Sequence, residues 1–219
     1  MTRHDGLPKS ETIEALYRTM LQEMGPTGWW PADNVYEIMV GAVLTQNAAW
    51  ANAARSIDAL KAAGMLDPHA IAGADGELLQ ELIRPSGFYR NKSRALREVS
   101  RWYVERCGAR PEGAAGIDDD TLRKELLRPF GIGGETADDL LLYVFDRRAF
   151  IADTYARRLF AFLGYRVPAG YPAFHKAVNP IVLATSLTVA DLKEFHGLID
   201  EYGKAYRSDE AKAGSFLNE

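Results

Sequence analysis

Apolar side chains recur at spacings of three and four residues along nearly the whole chain, and this periodicity limits the fold more than any other feature. Between Thr12 and Met24 the pattern is that of an amphipathic helix, with one face carrying Ile13, Leu16, Tyr17, Met20, Leu21 and Met24. Further helical segments are predicted at 35–44, 49–63, 78–83, 91–103 and 121–127. No alternating strand pattern and no internal repeat lies between them. The sequence therefore predicts an all-α fold of many short helices packed at varied angles, ending in a polar tail from about Ser208.

The composition is that of a globular protein with a sizeable core, since 47% of the 219 residues are hydrophobic and 26% are charged. No apolar run is long enough to span a bilayer, and the start MTRHDGLPKSE lacks the apolar core of a signal peptide. We therefore expect a cytoplasmic protein with no membrane partner.

Cysteine and histidine usage limits the metal sites that the chain can form. Cys107 is the only cysteine, which excludes an internal disulfide and an iron–sulfur cluster held by cysteines. No structural zinc is expected, because the four histidines are scattered along the chain at His4, His69, His175 and His196.

Charge is distributed unevenly. The net charge of −4 argues against a nucleic-acid partner, yet residues 84–110 carry eight basic side chains against two acidic ones. Such a cluster is either a solvated helix face or a local surface that attracts phosphate groups.

A glycine-rich turn between two helices stands out in the segment RPFGIGGETADDLLLYVF, residues 128–145. Pro129 stops the first helix, and Thr136 begins a second helix whose apolar face carries Ala137, Leu140, Leu141, Val144 and Phe145. Glycine permits unusual backbone conformations, and the N–H groups at a helix N-terminus can bind a phosphate. By itself, such a turn is more often a simple connection between helices than an anion site.

Four motifs occurring in order make this chain similar to the helix–hairpin–helix DNA glycosylase superfamily, in particular its endonuclease III-like branch. These are VYEIMVGAVLTQNAAWANAARSI, GFYRNKSRAL, FGIGGETADDLLLY and FIADTYARRLF, and the likeness covers residues 12–204. The WWP at 29–31 followed by GAVLTQN resembles the small 3-methyladenine DNA glycosylases. The resemblance implies two helical lobes with an active-site cleft between them. One lobe is 33–146, with the hairpin at about 121–145, and the other is 1–32 with 147–219.

The resemblance assigns roles to the hairpin and to Asp153. The N–H groups around Gly131, Gly133, Gly134 and Thr136 would bind the DNA backbone, helped by Na⁺ or K⁺ on the carbonyls near Gly131 and Gly133. Asp153 matches the catalytic aspartate of the family. From the residues alone, Asp153 is the N-cap of the next helix, a role compatible with catalysis because a helix N-terminus favours the anion.

The resemblance also implies a pocket for the excised base. Its residues would be Trp29, Trp30, Pro31, Trp50 and Glu135. An N-alkylated purine is cationic, and an indole face attracts cations. Taken singly, Trp29 or Trp30 is more typical of a core, and Glu135 is more typical of a solvated helix start.

Base flipping requires side chains that fill the gap left in the duplex. The resemblance assigns this to Gln46 and to Phe88, which would wedge the opposite strand, while Arg90 and Lys92 would hold phosphates. From the residues alone, Gln46 is an ordinary amide at a helix end.

Two departures from the family define the expected chemistry. Members that also cleave the strand carry a lysine where this chain has Glu135, so no Schiff base is expected. The C-terminal cysteines of cluster-bearing relatives are absent. We therefore expect a monomeric, monofunctional glycosylase that excises alkylated purines from damaged double-stranded DNA in base excision repair, nucleoid-associated if bacterial. A mismatch- or oxidised-base glycosylase and a non-catalytic DNA-binding protein are the alternatives.

Overall fold

The computed structural model describes residues 4–218, in which helices joined by loops are the regular structure and no strand occurs. The all-α prediction is therefore confirmed. The helices are α1 (Ser10–Met24), α2 (Val35–Leu44), α3 (Trp50–Ala62), α4 (Pro68–Gly73), α5 (Gly76–Leu82), α6 (Tyr89–Cys107), α7 (Asp119–Leu126), α8 (Gly134–Asp139), α9 (Thr154–Phe162), α10 (Tyr171–Leu183), α11 (Val189–Ala205) and α12 (Asp209–Ala213). A π-helical turn, Leu140–Val144, continues α8, and short 3-10 turns occur at Arg84–Ser86, Pro111–Ala114 and Phe216–Asn218.

The described chain divides into two compact units. Pro31–Arg147 forms the central unit, and residues 4–30 with 148–218 form the terminal unit. Within 4–218, no helix has both the length and the apolar character that a membrane crossing requires.

The core of the central unit is built around α2. Asn34 caps this helix by accepting a hydrogen bond from the Glu37 N–H at 3.0 Å. Eight of its ten residues are buried, so it packs on several sides, against α3, α6 and the π-helical turn. Tyr36 and Tyr103 stack in this core with ring centroids 6.0 Å apart. Because α2 is packed on several sides, its C-terminal end is held in one position. The loop that follows, residues 45–49, therefore starts from a fixed point in the core.

The core of the terminal unit is aromatic. Phe150, Phe160, Phe174 and Phe195 are buried, and neighbouring rings lie about 6 Å apart, within the range of favourable aromatic contacts. Helix α11 packs against α1 and α9. The C-terminal segment was expected to be a polar tail, but it forms α12. Ser208 caps that helix by accepting from the Ala211 N–H at 3.1 Å, and Lys212 and Ser215 are buried.

Candidate functional site

The glycine turn of the hairpin requires glycine at one position in particular. Gly131 has φ +77°, a conformation that side chains with a Cβ rarely adopt. A Cβ built there would lie 3.0 Å from the Ala95 Cβ on α6, so the turn also approaches that helix closely. Gly133 differs, because a Cβ there would meet nothing within 4 Å. The second helix begins at Gly134, two residues before the predicted Thr136.

Three side chains hold this turn in place. The Gln46 Nε2 donates to the Gly131 carbonyl at 3.0 Å and to the Thr136 hydroxyl at 2.9 Å. From α6, the Glu98 carboxylate accepts the Phe130 N–H at 2.7 Å, and Arg94 lies 4.0 Å above the Phe130 ring. The Phe130 N–H, followed by Arg94, holds the pKa of Glu98 below its usual value. The turn is therefore fixed from both α6 and the loop after α2.

A partly buried ion pair joins the two helices of the hairpin. Arg123 on α7 donates from Nε and Nη2 to the two carboxylate oxygens of Asp138 on α8, at 2.7 and 2.9 Å. Asp138 is fully buried, and paired N–H···O bonds of this kind fix geometry strongly. The angle between the hairpin helices is thereby restrained.

The proposed cation ligands can be compared with this geometry. The Gly131 carbonyl accepts from Gln46, and the Gly133 carbonyl accepts from the Ala137 N–H at 2.9 Å. A carbonyl oxygen has two lone pairs, so each keeps one for a further partner. Main-chain oxygens are suitable ligands for Na⁺ or K⁺, so the free lone pair on each carbonyl is chemically suited to such an ion. No group of three or more His, Cys, Asp or Glu side chains able to hold a metal occurs among residues 4–218.

Three of the expected pocket residues belong to the central unit. Glu135 is exposed in the first turn of α8, and the protein atoms around its carboxyl raise its pKa by desolvation. Trp50 is half-buried at the start of α3, and Pro31 is exposed before α2.

Two loops of the central unit present side chains in strained backbone conformations. Phe88 has φ +46° and is 68% exposed, and Asn47 has φ +51° and is also exposed. Positive φ is uncommon for residues other than glycine and is concentrated at functional sites. The two residues line one pocket of about 180 Å³, together with Gln46, Asn91, Lys92, Ala95, Phe130 and Gly131.

The structure corrects the expected role of Lys92. Its side chain is 2% exposed, and its Nζ donates to the main-chain carbonyls of Leu44 at 2.8 Å and Ser86 at 2.7 Å. An ammonium group enclosed by carbonyls is not available to a phosphate, so Lys92 does not contact DNA in this arrangement. Arg90 is exposed and makes no ion pair with any described residue. Its guanidinium group is therefore accessible to a phosphate.

The basic cluster is partly neutralised by its own surroundings. Ion pairs join Arg84 to Glu81, Arg94 to Glu98 and Arg106 to Glu125, with N···O distances of 2.7 to 2.9 Å. The surface is therefore less basic than the sequence count indicates.

In the terminal unit, Asp153 caps α9 as predicted from the residues. Its carboxylate accepts the Ala156 N–H at 2.7 Å, and the residue is half-buried. Tyr155 in the first turn of α9 packs on Gly203 of α11, where even a Cβ would clash with the ring. This close contact fixes α9, and with it the position of the Asp153 carboxylate.

The tryptophan pair also lies in the terminal unit. Trp29 and Trp30 are half-buried, with ring centroids 5.0 Å apart and planes inclined by 39°. Gly197 on α11 allows this loop to approach, since a Cβ there would lie 2.8 Å from the Trp29 Cβ. The Lys204 Nζ is 5.0 Å from the centroid of the Trp29 ring. One face of Trp29 therefore already faces a cation of the protein.

Sequence reasoning missed Asn47, Glu98 and Lys204. The Asn47 position carried a signal, because asparagine tolerates positive φ better than most residues. Nothing local marks Glu98 or Lys204, since each acts on a segment distant in sequence: Phe130 for Glu98 and Trp29 for Lys204.

Comparison with known proteins places the chain among DNA repair enzymes. A family model described as "HhH-GPD superfamily base excision DNA repair protein" matches residues 40–168. A Methanocaldococcus jannaschii protein, whose name assigns it provisionally to the DNA repair glycosylases, is 41% identical over 201 residues, 90% of each chain.

Two solved structures are similar in fold. The H. pylori 3-methyladenine DNA glycosylase MagIII, bound to 1,N6-ethenoadenine, has a TM-score of 0.71 and 29% identity and covers 89% of this chain and 96% of its own. An endonuclease III trapped as a covalent intermediate with DNA has a TM-score of 0.71 and 20% identity, covering 92% and 89%.

Proposed function

Because the chain belongs to the HhH-GPD superfamily of base excision DNA repair proteins and is a DNA glycosylase, we propose that it is a monofunctional N-glycosylase for alkylated purines such as 3-methyladenine. The observation that carries this substrate class is the likeness to the H. pylori enzyme over 89% of this chain. The observation that carries the monofunctional chemistry is a carboxylate, Glu135, in the hairpin position where strand-cleaving relatives use a lysine.

In this proposal Asp153 carries the chemical step. The bond between the sugar C1′ and the purine nitrogen breaks, the base leaves with the bonding electrons, and a water oxygen adds to C1′ as the water loses a proton. The sugar becomes cationic at the transition state, and a carboxylate held by the Ala156 N–H stabilises that charge or takes the proton. The cap holds the anion in one orientation, which is the condition for electrostatic stabilisation without reorganisation.

DNA binding is assigned to the central unit. The first turn of α8 leaves N–H groups without acceptors inside the helix, and these would bind a DNA phosphate beside Gly133 and Gly134. A Na⁺ or K⁺ on the Gly131 and Gly133 carbonyls would add positive charge there. Arg90 would hold a second phosphate, and Gln46 and Phe88 would fill the gap that base flipping leaves.

Recognition of the base is assigned to aromatic faces. A positively charged alkylpurine gains from stacking on an indole face, which Trp50 offers in the central unit and the Trp29–Trp30 pair offers in the terminal unit. Glu135 would add a negative charge that favours a cationic base over a neutral one.

The proposal is tested by incubating the purified protein with alkylated duplex DNA and identifying the released bases by chromatography. Release of 3-methyladenine by the wild-type protein, but not by Asp153→Asn, is expected. Release of oxidised pyrimidines alone would overturn the substrate class, and release of no base at all would favour a DNA-binding role.

One observation favours a second candidate, an endonuclease III-like activity that also cleaves the strand. The same fold occurs in an endonuclease III that forms a covalent intermediate with DNA. Covalent trapping with borohydride distinguishes the two candidates, because it requires an attacking amine.

A further inference from the structure

The two loops that carry the wedge residues are far apart in sequence and meet in the structure. Gln46 and Asn47 follow α2, whereas Phe88 follows the 3-10 turn Arg84–Ser86. Asn47 and Phe88 both have positive φ, at +51° and +46°. Strained, exposed residues persist only where the surrounding structure determines their conformation. The loops therefore need a support that holds both of them.

Lys92 lies where such a support is needed. Its Nζ donates to the carbonyl of Leu44, two residues before Gln46, and to the carbonyl of Ser86, two residues before Phe88. Its own N–H donates to the Phe88 carbonyl at 3.0 Å. One buried ammonium group thus joins the main chain beneath both loops, and the same side chain lines the pocket between them.

No carboxylate within the described range 4–218 pairs with the Lys92 ammonium, and a buried ammonium without such a partner is costly, which argues against a purely packing role. Burial lowers the pKa of Lys92 to about 8, and burial is the only cause of that shift. A methionine or leucine would fill the same space without a desolvation cost. A local departure of this kind is expected where a functional geometry depends on it.

We propose that Lys92 is a positioning residue for opening of the duplex: it ties the loop of Gln46 and Asn47 to the loop of Phe88, so that these side chains enter DNA as one rigid wedge. The inference rests on the proposed glycosylase function and deepens it. Lys92 itself touches no DNA. It acts through the main chain, and its loss affects opening of the duplex rather than general affinity for DNA.

The test uses a probe that does not depend on the identity of the damaged base. The duplex carries a tetrahydrofuran abasic analogue with 2-aminopurine opposite it, whose fluorescence rises when a wedge unstacks it. Lys92→Met is compared with Lys212→Met, the same change at another buried lysine, 5% exposed, in the terminal unit. We expect Lys92→Met to reduce the fluorescence change at saturating protein by about fivefold or more. Affinity for undamaged duplex should stay within about twofold, and Lys212→Met should behave like the wild type.

Three results would overturn the inference. These are a full fluorescence change in Lys92→Met, an equal loss of affinity for undamaged DNA, or the same loss of signal in Lys212→Met. A wild-type protein that gives no signal would instead refute the proposed function on which the inference rests.

A pH series on the wild-type protein keeps the inference testable should Lys92→Met fail to fold. Above a pKa of about 8 the amine loses its charge and one N–H, so its bonds to Leu44 and Ser86 weaken. The unfolded state, with a pKa of 10.5 for this lysine, then binds more protons than the native state, so this group's contribution to stability rises between those two values. Among residues 4–218, no other titratable side chain lines the pocket. We expect the fluorescence change to shrink from about pH 7 to about pH 9.5. Deprotonation of Lys92 does not itself lower the melting temperature over this range, so the lost signal would not be due to unfolding caused by this group. A constant signal over that range would contradict the proposal.

Discussion

The side-chain amide of Gln46 is hydrogen-bonded to the carbonyl of Gly131 at 3.0 Å. The residue expected to fill the gap in a duplex is therefore attached to the turn expected to bind the backbone. A second bond, to the Thr136 hydroxyl at 2.9 Å, makes the attachment directional. In the proposed complex with DNA, entry of Gln46 and binding of a phosphate at the hairpin would be coupled, because the amide would have to keep or exchange these bonds when the duplex arrives.

Two substitutions separate the wedge from the attachment. Gln46→Ala removes the side chain that would enter DNA and also its two hydrogen bonds to the hairpin. We expect base excision to fall by about tenfold and the free energy of unfolding by about 0.5–1.5 kcal/mol, since the bonds are only partly buried. Thr136→Val removes one acceptor and leaves the amide side chain, so most of the excision activity should remain. Single-turnover kinetics and urea unfolding measure both effects. Equal losses of excision in the two variants would assign Gln46 to hairpin support alone.

Gly131→Ala tests the conformation of the hairpin turn. The new Cβ would sit at φ +77° and 3.0 Å from the Ala95 Cβ, so both strain and a close contact oppose it. We expect a loss of about 1–3 kcal/mol in the free energy of unfolding. Gly133→Ala is the matched control, because a Cβ there meets nothing within 4 Å and φ is negative. Its stability should change far less, and the reverse order of the two effects would contradict the assigned geometry.

The fold was predictable because periodicity reports burial. Helix α2 occupies the residues predicted, 35–44, since its apolar run is bounded by Asn34 as a cap. Asp153 was likewise predictable as a cap from the apolar spacing of α9.

The parts of the structure that the sequence did not predict depend on features without a periodic signal. Helices α4 and α12 have six and five residues, too few for a repeat to emerge, and are defined by their caps Asp67 and Ser208. Burial of Lys92 was unpredictable because a lysine stem is apolar and its charge normally reaches water. Only the meeting of two distant loops provides the carbonyls that enclose it.

Asp153→Asn should keep DNA binding and reduce base release by about a hundredfold or more, because the anion is lost while the shape remains. Asparagine caps helices as well as aspartate, so the melting temperature should change little. Asp118→Asn is a matched control, since Asp118 also caps a helix, accepting the Thr121 N–H at 2.9 Å. An active Asp153→Asn variant, or equal losses of activity in both variants, would reduce Asp153 to a cap.

Trp50→Ala should weaken excision more than affinity for undamaged DNA, since stacking on an aromatic side chain contributes about 1–3 kcal/mol per base. Trp102→Ala offers a comparison, because Trp102 is also half-buried but packs edge-on against Phe145. That control should lower stability and leave the excision rate of the folded protein unchanged. Unchanged excision in Trp50→Ala, accompanied by a destabilised fold, would place Trp50 in the core instead.

Glu135 separates base release from strand cleavage most cleanly. A lysine nucleophile forms a Schiff base with the sugar, and borohydride reduces it to a stable protein–DNA adduct. A carboxylate cannot form an imine, so the wild-type protein should release free base and leave an intact abasic strand. Borohydride should then trap no adduct, and the strand should break only after hot alkali. Denaturing gels of end-labelled duplex, run with and without each reagent, measure both outcomes.

The trapping experiment also shows which amine attacks if the monofunctional assignment is wrong. A strong adduct that persists in Glu135→Gln would demonstrate an amine elsewhere in the chain. Lys92 is the first to examine, because burial lowers its pKa to about 8 and an amine must be neutral to attack. Its Nζ is enclosed by the carbonyls of Leu44 and Ser86, so we do not expect it to reach the sugar. Borohydride should therefore trap no adduct with Lys92→Met, just as it should trap none with the wild-type protein. An adduct that disappears in Lys92→Met while the 2-aminopurine fluorescence change is fully retained would identify Lys92 as a nucleophile and refute both its positioning role and the monofunctional mechanism.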